Sequence, residues 1–136
     1  MLGIKEKYVS YDQAVALKRL GFAEKISHYY VHFRTGEIKL WRSKSLCDHN
    51  KYTSPNDVCS APRIDQAAAW MRDCKELHVL PRLENVNKPD YVCIVTLMRK
   101  ESIRITDDDR YFPDYESALS AGLDAALELL GKEVKE

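Results

Sequence analysis

The stretch Tyr29-Tyr30-Val31-His32-Phe33-Arg34-Thr35-Gly36-Glu37-Ile38-Lys39-Leu40-Trp41 decides how this chain is read, because it has the composition and turn signal of a β-hairpin. A two-residue Thr35-Gly36 turn predicts Arg34 opposite Glu37, Phe33 opposite Ile38, His32 opposite Lys39, Val31 opposite Leu40 and Tyr30 opposite Trp41. Side chains alternate across a strand, so this register gathers Tyr29, Val31, Phe33, Ile38 and Leu40 on one apolar face. The opposite face then carries His28, Tyr30, His32, Arg34, Glu37, Lys39 and Trp41. An aromatic and basic surface of this kind suits stacking on a base or sugar, anchoring a partner, or lying under a helix. His28, Tyr30, His32, Arg34, Lys39 and Trp41 are therefore the candidate binding face.

Working outward, Ser10 and Gln13 form an S-x-x-Q capping box, with Val9 and Ala14 placed as a hydrophobic staple. Leu20-Gly21-Phe22 supplies a glycine for a left-handed C-terminal position and an apolar residue to fold back, so a first helix is expected from about Tyr11 to Leu20. Beyond the hairpin, residues 43–59 form a long polar connection with neither helical nor strand periodicity. Loops of this length inside a compact domain are often functional, and Asp48 and His49 are its candidate acid/base site. Cys47, His49 and Cys59, with Asp48, have the atoms to bind zinc, but their spacing matches no common knuckle or ribbon, and no metal or cofactor is expected.

Ser60 caps a second helix whose stripe is Ile64, Ala67, Ala68, Met71 and Cys74. Leu77–Leu80 reads as a short strand ended by Pro81. Tyr91–Met98 is apolar at both alternating positions and reads as a central strand covered on both sides. A turn at Arg99–Ser102 leads into Ile103–Thr106, and Pro113 and Asp114 announce a third helix from Tyr115 to Leu130, stopped by Gly131. Asp107-Asp108-Asp109 lacks the glycine and distal glutamate of an EF-hand loop and is read as a turn. The expected fold is a single α+β domain over residues 1–136. It has a mainly antiparallel sheet of about five strands and three helices, in the order α-β-β-α-β-β-β-α.

Composition narrows the function. With 45% hydrophobic and 31% charged residues among 136, the chain can bury a core without staples. The N-terminal residues lack the apolar run of a signal peptide and no segment reaches the length of a membrane helix, so the expectation is a cytoplasmic protein with four reduced cysteines and no membrane partner. The net charge is zero but uneven. Residues 1–52 hold ten Lys and Arg against five Asp and Glu, while residues 53–136 hold eleven against sixteen. The basic half contains the hairpin, an asymmetry that steers polyanions, sets two copies head to tail, or arises by chance. The sequence has no G-x-S-x-G elbow, phosphate-binding glycine loop or catalytic cysteine signature, so an enzyme is not the expectation.

Three phrases, Tyr11-Asp12-Gln13-Ala14 through Leu20-Gly21-Phe22, Ser60-Ala61-Pro62 with Gln66-Ala67 and Trp70, and Tyr115-Glu116-Ser117-Ala118 through Leu130, cover about a third of the chain. In them the chain resembles a loosely defined group of small proteins encoded by gut Bacteroides-type bacteria and their phages or mobile elements. The resemblance implies an accessory protein that acts by binding, and transfers no catalytic residue. The leading expectation is a non-enzymatic protein-interaction module, self-associating through the third helix or a sheet edge. The alternative is a single-stranded nucleic-acid binder using the aromatic-basic hairpin face.

Overall fold

The computed structural model describes residues 8–51, 57–85, 87–97, 101–107 and 110–135. Among them are three α-helices, α1 (Tyr11–Arg19), α2 (Ile64–Lys75) and α3 (Tyr115–Lys135). The six strands are β1 (Ile26–His32), β2 (Ile38–Cys47), β3 (Asp57–Ser60), β4 (Leu77–Asn85), β5 (Asp90–Leu97) and β6 (Glu101–Ile105). The α+β class and the antiparallel pairing are those expected. The strands divide, however, into two three-stranded sheets, β2-β1-β3 and β4-β5-β6. The chain forms two compact units, one ending at Arg63 and the other beginning at Ile64.

In the first unit the caps form as the sequence dictates. Ser10 Oγ accepts the Gln13 amide at 3.1 Å and Gln13 Oε1 accepts the Ser10 amide at 2.8 Å, so Gln13 is 2% exposed yet satisfied. At the other end Phe22 N–H reaches Leu17 O at 3.0 Å and Gly21 N–H reaches Lys18 O at 3.1 Å, with Gly21 at φ 94°. This Schellman arrangement folds Phe22 over Leu17, and both are buried. α1 lies on the β1 face that carries Tyr30 and His32: Tyr11 meets Tyr30 edge to face at 5.8 Å, and Lys18 Nζ donates to Val58 O at 2.8 Å.

The hairpin departs from its predicted register. Tyr29 pairs with Trp41, Tyr30 with Leu40, Val31 with Lys39 and His32 with Ile38, one residue away from the expected pairing. The connection has three residues, Arg34-Thr35-Gly36, closed by Phe33 N–H to Glu37 O at 2.8 Å, with Gly36 at φ 93°. A two-residue I′ turn needs positive φ at both central positions, which β-branched Thr35 resists. The three-residue loop demands it only of Gly36. A one-residue slip exchanges the faces of one strand relative to the other. Tyr29, Val31, Lys39 and Trp41 therefore share one face, and His28, Tyr30, His32, Ile38, Leu40 and Arg42 the other. The segregation into an apolar and an aromatic-basic face does not occur.

The expected loop at residues 43–59 is largely built into the sheet. β2 runs on to Cys47 through a bulge opposite Ser27, a 3-10 turn follows at His49–Lys51, and β3 adds beside β1 with Tyr30 opposite Cys59. Residues 52–56 lie outside those described.

In the second unit α3 covers one face of β4-β5-β6. Leu77, Val79, Cys93 and Val95 are buried against Ala118, Leu119, Leu123 and Ala126. Gly122 permits this close approach, since a Cβ there would overlap Cys93 Sγ and lie 2.7 Å from Val79 Cγ1. β5 is central, as expected, but its cover is unequal: Ile94 and Thr96, on the side away from α3, are only half-buried. β4 continues through Pro81, which ends no strand because β4 is the edge of its sheet and, among the described residues, one side of it has no paired strand. α3 likewise runs through Gly131, its last turns tolerating a residue of poor propensity. Of the acidic triplet, Asp108 and Asp109 lie outside the described residues, as do Arg99 and Lys100 of the expected turn. Among the described residues no helix is long and apolar enough to cross a membrane.

Candidate functional site

The six residues expected to share the hairpin's binding face are divided by the observed register. His28, Tyr30 and His32 sit beside the α1 segment. The Tyr30 hydroxyl donates to Val9 O at 2.7 Å, Tyr11 Oη lies 3.1 Å from His32 Nδ1, and His28 stacks on Tyr8 with centroids 4.0 Å apart. Burial holds the Tyr30 hydroxyl above the usual phenol pKa. These three side chains are structural partners of residues 8–11, the segment that leads into α1, rather than an open stacking platform. Arg34 is in the turn. Lys39 and Trp41 occupy the opposite face, where Trp41 is 47% exposed and 6.3 Å from Phe33.

What the first unit does expose is the free flank of β2. In the order β2-β1-β3, β2 is paired on one side only among the described residues. The close pair at Phe33 and Glu37 sets the alternation of the ladder. The backbone groups of Lys39 and Trp41 therefore face β1, and those of Ile38, Leu40 and Arg42 face outward. Ile38 and Leu40 are exposed large apolar residues, and Lys39, Arg42 and Lys44 are exposed as well. Lys39 has Glu37 at 3.6 Å, a solvated pair of small energetic consequence.

Of the expected loop site, Asp48 and His49 take separate roles. Asp48 Oδ1 accepts the Asn50 amide at 3.0 Å and shapes a local turn. His49 is 3% exposed, and its ring stacks on Tyr29 at 4.4 Å and 23°. Its backbone amide donates to Ser60 Oγ at 3.1 Å, and Nε2 lies 3.0 Å from Ile26 O. A carbonyl only accepts, so Nε2 carries the proton and Nδ1 the lone pair. Cys47 Sγ lies 3.3 Å from that Nδ1, and Ser43 Oγ 3.5 Å from Nε2. Burial lowers the His49 pKa, opposed by the Ile26 carbonyl and the Asp48 charge. Cys59, grouped with these residues by sequence, opposes Tyr30 on the other face of β1. Among the described residues no three His, Cys, Asp or Glu side chains converge to hold a metal ion.

Sequence reasoning found His49 and Cys47 but missed Tyr29, Ser43 and Ser60 around them, since these contacts, 6 to 20 residues apart in the chain, leave no local signal. It also missed a recess of about 210 Å³ in the second unit, where Asp65, Arg72, His78 and Tyr115 rim a floor of Ala68, Val79 and Leu119. Arg72 there is held by Asp73 at 3.0 Å, which leaves the recess without a free cation from that side chain. No protein-family model, curated protein or solved structure matches the chain.

Proposed function

We propose that this protein is a non-enzymatic interaction module that takes an extended, acidic segment of a protein partner as an added strand along β2. The outward-facing backbone of Ile38, Leu40 and Arg42 on an unpaired edge carries this reading. Main-chain groups supply affinity in strand addition, while the side chains beside them select the partner. Here the neighbours are exposed Ile38, Leu40 and Trp41 with three cations, Lys39, Arg42 and Lys44. Lysines and a bulge are what natural edges use against unwanted pairing. Two antiparallel copies of β2 centred on Arg42 would set the two Arg42 side chains against each other, and any pairing of two copies gathers two sets of Lys39, Arg42 and Lys44 on one ribbon, so the same charges that discourage self-pairing favour an acidic visitor. α3 offers little alternative surface for self-association, because Leu119, Leu123, Leu127 and Leu130 are buried. An accessory binding role also agrees with the resemblance to small mobile-element proteins.

Leu40→Pro supplies the test, because it removes an outward-facing donor and no bond to β1. With a short peptide alternating Glu and Val as probe, Trp41 fluorescence is expected to change on binding to the full chain, more weakly at high salt, and not at all in Leu40→Pro. Trp70 is 8% exposed and contributes a steady background. Binding that survives Leu40→Pro, or no binding at low salt, overturns the reading.

One observation favours a second reading. Trp41, Phe33 and Lys39 lie on one face of the hairpin, an aromatic pair beside a cation of the sort that stacks single-stranded nucleic acid. Quenching by oligothymidylate that is lost in both Trp41→Ala and Lys39→Glu, and retained in Leu40→Pro, would select it.

A further inference from the structure

The Cys47–His49 pair has no part in strand addition, and its geometry carries a chemistry of its own. Of the four cysteines, Cys59 and Cys93 are buried, Cys74 is exposed on α2, and Cys47 is half-exposed. Cys47 lies against a base, with His49 Nδ1 at 3.3 Å from its sulfur. The imidazole is fixed in the tautomer such a base requires: Nε2–H is committed to Ile26 O, the ring is stacked on Tyr29, and the backbone amide is tied to Ser60. The sulfur is 3.5 Å from Nε2 as well, which sets it above the imidazole ring rather than in its plane. Proton transfer to the Nδ1 lone pair therefore requires the Cys47 side chain to turn toward the ring plane.

We propose that Cys47 is a thiol-modification site that exchanges with low-molecular-weight disulfides, with His49 as its base. The Cys47 proton passes to His49 Nδ1, and the resulting thiolate attacks one sulfur of the disulfide. A Cys47–S–S–R bond forms as the R–S–S–R bond breaks. The departing thiolate takes the proton back from His49, so one disulfide is consumed, one mixed disulfide is made and one free thiol is released. The low-molecular-weight disulfide is itself the oxidant: the Cys47 sulfur is oxidised as one sulfur of the disulfide is reduced to the free thiol. Thiol exposure alone would favour Cys74; a positioned base reverses that order.

The test uses the folded full chain with oxidised glutathione at neutral pH, followed by peptide mapping of all four cysteines in the same sample. Cys47 is expected to acquire glutathione about tenfold faster than Cys74, less than the roughly 100-fold a positioned base can give because Cys47 is the less exposed of the two. In His49→Gln the Cys47 rate is expected to fall to that of Cys74 or below, with Cys74 unchanged. Protection of Cys59 and Cys93 reports that the variant is folded. Should His49→Gln unfold and expose them, the wild-type ratio of Cys47 to Cys74 decides. A Cys47 rate equal to or below that of Cys74 in the wild type, or a folded His49→Gln with its Cys47 rate intact, overturns the proposal.

Discussion

At Gly122 one hydrogen atom sets the distance between α3 and its sheet. Gly122→Ala drives a methyl group into Cys93 Sγ and Val79, inside a core with no slack, and is expected to cost about 1–3 kcal/mol in a denaturant titration. Pairing it with Cys93→Ala relieves the collision, so the double variant is expected to be more stable than the two single losses add up to. Burial pushes the Cys93 thiol up to about 11, so at neutral pH it acts as a small apolar side chain. His49 shows the opposite coupling of burial and charge. Its folded pKa is depressed, so the unfolded chain binds the proton more readily. The stability it supports is complete above its unfolded value, about 6.5, and is lost as pH falls from there through the lower folded value. Thermal melts between pH 7.5 and 5 are expected to show a falling midpoint for the first unit, with the pH dependence reduced in His49→Gln.

Whole elements depend on terminal chemistry in the same way. α1 spans only Tyr11–Arg19, too short to persist by propensity, and its reciprocal Ser10–Gln13 cap fixes where it starts. Ser10→Ala is expected to destabilise the first unit by about 1 kcal/mol, read as a lower urea midpoint with an unchanged slope. The hairpin is governed by its loop. Gly36 at φ 93° is the residue that makes a three-residue connection possible, and Gly36→Val is expected to lower the melting temperature of the first unit while Thr35→Val does not. Because the loop sets the register and the register sets the faces, Gly36 also determines that Trp41 and Lys39 share a face with Tyr29 and Val31 rather than with Tyr30 and His32. The caps of α1 and α3, the hairpin's existence and the rough order of elements are legible in the amino-acid sequence, since each rests on residues a few positions apart, whereas Ser60, which reads as the cap of α2, lies in β3 and that helix starts at Ile64. The loop length is legible in principle as well: the reluctance of Thr35 to take positive φ argues against a two-residue turn.

Across the whole chain, the sequence by itself determined the α+β class, the starts of α1 and α3, the Schellman close of α1, and the nearness of Cys47 and His49 within one segment. These follow from local rules: capping, periodicity and residue chemistry act over a turn or a strand. Tertiary structure decided the rest. It divided six strands between two sheets, drew residues 43–60 into a bulge, a 3-10 turn and a third strand, and put Tyr29 and Ile26 around the His49 ring. It also took Tyr30 and His32 under α1 and left the flank of β2 unpaired among the described residues. The physical reason is that alternation says which residues share a face of one strand, but not which strand comes to lie beside it. Partners, burial and the tautomer of a histidine arise from contacts between segments far apart in the chain, and those exist only once the units have folded.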